Sequence, residues 1–126
     1  LLCGCQVPDA PPLNSFTKKS KMKYYRILDE LDAENVTYSY KSRYTGEDHK
    51  LHFIVAVENM KRVRLSDSVL LDYSDSLLDV FDRNEFDFSR VSEYNLYFEE
   101  SSQPPSKLRV YFKLNPDREV LEIAYK

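Results

Sequence analysis

Glycine and histidine are scarce in this 126-residue chain, and tryptophan is absent. With only two glycines, a barrel with many sharp corners is not expected, because such corners depend on glycine kinks. The two histidines, His49 and His52, are spaced so that they lie on opposite faces of a strand. We therefore expect two solvated histidines near acids, and neither a metal site nor a cofactor.

Long apolar runs and an excess of positive charge are also missing. The longest uninterrupted apolar stretch within the body, residues 53–57, is far shorter than the ~20 residues that span a bilayer. The formal net charge is -3, so the chain lacks the overall basic field that drives nonspecific nucleic-acid binding. We expect a soluble body and no nucleic-acid partner.

The composition is that of one globular domain with a real core. Hydrophobic residues make up 42% of the chain and charged residues 31%, which excludes a disordered chain and a collagen-like repeat. A length of 126 residues fits a single domain, since such domains most often contain ~100 to 150 residues.

Both cysteines lie within the first five residues, so they do not form a structural disulfide framework. The segment Leu2-Cys3-Gly4-Cys5 resembles the lipobox of bacterial lipoprotein signal peptides, in which leucine and small residues precede the cysteine that becomes lipidated. The resemblance implies that residues 1–4 are a signal-peptide remnant and that Cys5 carries the lipid. A bacterial envelope protein anchored in a membrane is therefore expected.

Residues 5–15 follow as a predicted tether, because they contain three prolines and no helical periodicity. A proline-rich tether extends by ~3.1 Å per residue, so about ten residues hold a domain roughly 30 Å from the membrane. Gln6 is not the aspartate associated with inner-membrane retention in enteric-type bacteria, so the resemblance favours the outer membrane. A frayed terminus without an anchor is the alternative interpretation.

Residues 16–126 carry alternating helical and strand patterns. Ser15 or Thr17 can cap a first helix, and Ser66 or Asp67 a second. Apolar residues recur at helical spacing after each cap, at Tyr24, Ile27, Leu28 and Leu31 and at Leu70, Leu77, Leu78 and Phe81. Strand-like alternation follows, with apolar positions at Val36, Tyr38 and Tyr40, at Leu51, Phe53, Val55 and Val57, at Tyr94, Leu96 and Phe98, at Val110, Phe112 and Leu114, and at Leu121, Ile123 and Tyr125.

The predicted order is therefore α-β-β-α-β-β-β. Helices with one apolar stripe and strands with one apolar face pack as a two-layer α+β sandwich. We expect an antiparallel sheet with both helices on one face, because adjacent hairpins need no crossover.

A candidate binding face is predicted on the side of the sheet away from the core. Tyr97 alternates with Leu96 and Phe98, and Arg109, Tyr111 and Lys113 alternate with Val110 and Phe112. Tyrosine and arginine are enriched at protein interfaces, because they combine contact area with hydrogen bonding. Tyrosines that cover an ordinary solvated sheet are the alternative.

A second candidate surface is a basic patch near the tether. Lys18, Lys19, Lys21 and Lys23 form a stretch without an acid, and lysines at this place could contact anionic lipid headgroups. The same lysines oppose the macrodipole of the first helix if it begins before them. A helix start near Met22 would remove much of that conflict.

The pattern favours a noncatalytic domain. Glycine-rich phosphate loops and HExxH are absent, and the acid pairs are those expected by chance in an acid-rich chain. The leading hypothesis is a lipid-anchored envelope protein that binds a protein or an envelope polymer. Alternatives are a periplasmic or secreted inhibitor or immunity-type protein, which would act through its acidic second helix or tyrosine-rich sheet, and a small hydrolase.

Overall fold

The computed structural model describes residues 7–45, 48–62, 64–101 and 109–125. A short 3-10 helix, Leu13–Ser15, is followed by seven elements, which are α1 Lys18–Leu31, β1 Asn35–Thr45, β2 Asp48–Met60, α2 Asp67–Asp82, β3 Val91–Glu100, β4 Arg109–Leu114 and β5 Val120–Tyr125. The predicted α+β class and the order α-β-β-α-β-β-β are confirmed.

Each helix begins at a hydroxyl side chain that was among the predicted caps. The Thr17 hydroxyl accepts a hydrogen bond from the Ser20 amide at 3.2 Å, and the Ser66 hydroxyl accepts one from the Val69 amide at 3.4 Å. These caps satisfy amides that have no partner within the helix. Because α1 begins at Lys18 and not near Met22, its lysines do lie at the positive end of the helix.

The five strands form one sheet in the order β1-β2-β3-β4-β5. Three neighbouring pairs are antiparallel, but β2 and β3 are parallel, with Val55 opposite Leu96. The predicted all-antiparallel sheet is therefore wrong at this pair. The reason is α2, which returns the chain to the end of the sheet where β2 began, so that β3 runs beside β2 in the same direction.

Both helices pack on one face of the sheet, as predicted. Their buried side chains join the inward-facing strand residues in a single hydrophobic cluster. Phe53 lies within this cluster with no exposed surface, and its ring centroid is 4.9 Å from that of Phe88 and 5.5 Å from that of Phe81. Strand β5 lies at the edge, where its apolar side chains Val120, Leu121, Ile123 and Tyr125 stay 38–58% exposed.

The predicted lipid-carrying residue, Cys5, and the predicted signal remnant, residues 1–4, lie outside the described residues. Within the predicted tether, Ala10 and Leu13 pack against the core, and the Pro11 carbonyl accepts a hydrogen bond from the Tyr38 hydroxyl at 3.0 Å. Packing against the domain thus starts ahead of the predicted domain boundary at residue 16.

In the part of the chain that the structure describes, neither helix combines the length and the hydropathy required to cross a bilayer.

Candidate functional site

The open face of the sheet, opposite the helices, carries a pair of stacked tyrosines. Tyr97 on β3 and Tyr111 on β4 are direct partners in the antiparallel register. Their ring centroids are 4.8 Å apart and their planes are inclined by 30°. The structure therefore brings together two of the four residues of the predicted binding face, and it places both side chains half-buried.

Beside this stack lies a buried polar cluster centred on Asn95. The amide nitrogen of Asn95 donates to Glu93 Oε2 at 2.8 Å and to the Tyr111 hydroxyl at 3.0 Å. Its carbonyl oxygen lies 3.0 Å from Nδ1 of His52, so Nδ1 carries the hydrogen. Asn95 and His52 are only 4% and 6% exposed. Buried polar atoms need such partners, because an unsatisfied one retains the cost of its desolvation.

A β-bulge places the carboxylate of this cluster on the open face. Between Leu51 and His52, β2 advances by one residue, whereas β3 advances by two, from Val91 to Glu93. The extra residue, Ser92, shifts the alternation and sets Glu93 beside His52, with Oε2 at 3.2 Å from Nδ1. A bulge that re-aims a side chain is a common feature of functional sites.

The cluster forms the floor of a cavity of about 220 Å³ whose rim is basic. Arg43, Lys50 and Lys113 line the rim, and Glu93 is the one carboxylate among the lining residues. Lys113 Nζ lies 3.6 Å from Glu93 Oε1. The lining residues carry three cations and one acid, and Glu122, opposite Lys113 on β5, adds a second negative charge nearby, so the cavity offers a small excess of positive charge to a ligand.

Burial raises the pKa of Tyr111 to about 12, and the neighbouring Tyr97 phenol and Glu93 carboxylate act in the same direction. The hydroxyl therefore stays protonated at neutral pH. It accepts from Asn95 and keeps its own hydrogen to donate. Together with the rim cations and the stacked rings, this hydroxyl can bind an anionic or carbonyl-bearing group.

Three of the four predicted face residues, Tyr97, Tyr111 and Lys113, line the cavity. Arg109 does not, because its guanidinium is paired with Glu99 Oε2 at 2.8 Å near the end of β3. His52, Glu93 and Asn95 are not among the predicted residues of the binding face. A buried histidine whose strand neighbours are apolar gives no signal of its own, and the bulge and the parallel pairing that assemble the cluster were not predicted.

The two histidines have different partners. His49 Nε2 lies 2.5 Å from the Ser42 hydroxyl, whereas His52 contacts Asn95 and Glu93. His52 is thus buried, whereas the sequence predicted that it would be solvated. Within residues 7–45, 48–62, 64–101 and 109–125, no group of three His, Cys, Asp or Glu side chains could hold a metal ion.

The acidic face of α2 is partly occupied by contacts within the domain. Arg118 Nη1 lies 2.8 Å from Asp75 Oδ1 and 2.7 Å from Asp79 Oδ1. The Tyr125 hydroxyl donates to Asp67. These acids bind side chains of β5 and of the turn before it, and so hold both against α2. Because these acids already have partners within the domain, there is less support for an inhibitor that acts through α2.

The basic patch lies at the start of α1. Lys18 and Lys19 are exposed there, and Lys21 and Lys23 are half-buried. This patch belongs to the helical layer, so it is separate from the open face of the sheet.

No protein-family model, no curated protein and no solved structure matches this chain.

Proposed function

We propose that this chain is a lipid-anchored bacterial envelope protein, with the outer membrane favoured, whose domain is a noncatalytic binding module. The lipobox-like Leu2-Cys3-Gly4-Cys5 supports the anchor. The open face of the sheet is the proposed contact surface, and its partner is a protein segment or an envelope polymer that carries negative charge.

The observation that carries this proposal is the hydrogen-bonded cluster of the buried His52 and Asn95 with the half-buried Tyr111, on a sheet face that no described helix or strand covers. A fixed network of hydrogen-bonding groups next to a stacked tyrosine pair provides directional contacts and contact area at the same place. The basic rim supplies the charge selectivity for an acidic partner.

The composition of the cavity also supports binding without catalysis. Among the described residues that line it, there is no serine, threonine or cysteine that could act as a nucleophile. The imidazole of His52 is held by Asn95 and Glu93 at its Nδ1 and is 6% exposed, which restricts the access that a general base needs.

The binding proposal is tested with the purified chain and two charge-matched double variants. R43E/K113E reverses two rim charges of the open face, and K19E/K23E reverses two lysines on α1. The probes are purified peptidoglycan sacculi and detergent-solubilised outer-membrane proteins. We expect saturable binding of one probe by the wild type and K19E/K23E, and its loss in R43E/K113E. Binding of neither probe, or equal binding by both variants, would refute the contact surface.

The anchor is tested separately by intact mass and membrane fractionation of the protein made from its full-length precursor. The mature chain is expected to begin at Cys5, to be heavier by an acylated glyceryl group, and to be found with membranes. Cys5→Ala should release a folded domain from the membrane fraction. An unmodified wild-type chain outside the membranes contradicts the anchor but leaves the binding test untouched.

A further inference from the structure

A second cavity, here called the α1–α2 cavity, lies between the start of α1 and the end of α2. Its volume is about 360 Å³, within the range of small-molecule sites. Four cationic side chains, Lys19, Lys23, Arg26 and Arg83, line it together with the apolar side chains of Met22 and Val80. The cavity thus combines three basic groups of α1 and one residue that directly follows α2 with two apolar side chains.

The four cations form no ion pair with the residues that the structure describes. Among the described residues, none of their side-chain nitrogens lies within 4.0 Å of a carboxylate oxygen. The first turn of α1 contains no acidic residue, so Lys18 and Lys19 face the positive end of the helix dipole without compensation. A bound anion would relieve this repulsion, which otherwise destabilises the helix.

Exposed apolar side chains adjoin the cavity on the same helix. Met22 is 59% and Tyr25 53% exposed, and they line a shallow depression with three cations, Lys18, Lys21 and Arg26, and one acid, Asp29. Large apolar groups surrounded by lysines and arginines are typical of helices that lie in a membrane interface. A free anion in solution would leave Met22 and Tyr25 exposed, whereas a membrane surface covers them.

We propose that the α1–α2 cavity binds the phosphate of an anionic phospholipid headgroup, while Met22 and Tyr25 enter the interface of the same bilayer. The proposal deepens the anchoring function and depends on it only for the choice of a membrane as the source of the phosphate. Arg26 and Arg83 provide planar donors that match phosphate oxygens, and Lys19 and Lys23 provide point charges.

The test is co-sedimentation of the unacylated full chain with vesicles, so that no attached lipid contributes. Vesicles of phosphatidylcholine are compared with vesicles that also contain phosphatidylglycerol. We expect binding to the second kind only, weakened by about fivefold for each lysine removed in K19Q/K23Q. The control K41Q/K61Q removes the same charge from exposed lysines outside the cavity and should bind as the wild type does.

A further pair of measurements separates the membrane from a soluble anion. Met22→Ser combined with Tyr25→Ser should weaken vesicle binding while the fold, followed by circular dichroism, is retained.

Equal weakening by K19Q/K23Q and K41Q/K61Q, or no binding to phosphatidylglycerol vesicles, overturns the proposal. Saturable binding of inorganic phosphate in the cavity by a chain that does not bind vesicles also overturns the proposal. Because the chain is unacylated and the cavity variants K19Q/K23Q and M22S/Y25S leave the open face unaltered, failure here is distinguishable from failure of the proposed anchor or contact surface.

Discussion

The side-chain amide of Asn95 donates to the hydroxyl oxygen of Tyr111 at 3.0 Å, from β3 to its antiparallel neighbour β4. The same amide group donates to Glu93, and its carbonyl accepts from His52 on the other side of β3. One side chain thus satisfies partners from three strands. This relationship explains how polar groups can be buried on a face that lies outside the hydrophobic core.

Replacement of Asn95 by alanine is expected to destabilise the domain by about 1–3 kcal/mol, because the buried His52 and the half-buried Tyr111 lose their shared partner. Urea unfolding followed by circular dichroism measures the change. The matched control is Asn14→Ala, since Asn14 is exposed, and its effect should stay within about 0.5 kcal/mol. Equal effects of the two substitutions would show that the cluster does not stabilise the fold.

Local signals predicted most of the fold. The hydroxyl caps at Thr17 and Ser66, followed by apolar residues at helical spacing, located both helices. Alternation of apolar and polar residues located the strands and separated the core face from the open face. These features depend on neighbours within a few residues, which a sequence shows directly.

The direction of β3 and the bulge at Ser92 were not predicted, because both depend on residues far apart in the chain. Whether β3 pairs with β2 or extends a separate hairpin is decided by how α2 packs across the sheet. Prediction of the candidate site is limited in the same way, because its residues are also far apart in the chain. Tyr97 and Tyr111 were placed correctly by alternation, whereas the cluster of His52, Glu93 and Asn95 arises only from the parallel register and the bulge.

The aromatic centre of the core is expected to be intolerant of truncation. Phe53 has no exposed surface, and its ring is surrounded by the rings of Tyr40, Phe81, Phe86 and Phe88. Phe53→Ala should lower the free energy of unfolding by about 3–5 kcal/mol. Tyr25→Ala, at an aromatic position that is 53% exposed, is the control and should change it little. A small loss at Phe53 would contradict the described packing.

Asp32 provides a test that separates backbone conformation from charge. It follows α1 with a left-handed φ of 49°, a conformation that asparagine tolerates well, and its carboxylate lies at the negative end of the helix dipole. Asp32→Asn should stabilise the domain by about 0.3–1 kcal/mol at low ionic strength, with a smaller gain at high salt. Thermal unfolding at two salt concentrations checks this expectation.

The companion substitution Asp32→Ala removes the same charge but places a less tolerant residue in the left-handed region. Its backbone cost is roughly 1–2 kcal/mol, so the net effect should be destabilising. If both variants stabilise the domain equally, the left-handed conformation at the end of α1 carries no cost for alanine and the described cap is wrong.

Stability is expected to fall at alkaline pH because of buried tyrosines. Burial raises the pKa values of Tyr24, Tyr40 and Tyr111 from 10.0 to about 12. Above pH 10 the unfolded chain releases these protons while the folded chain retains them, so the stability is complete below pH 10 and is lost as the pH rises towards about 12. Urea midpoints across this window measure the loss, and Tyr111→Phe should make it smaller because one of the tyrosines with a raised pKa no longer titrates. A pH dependence in Tyr111→Phe as steep as that of the wild type would show that Tyr111 does not contribute to it.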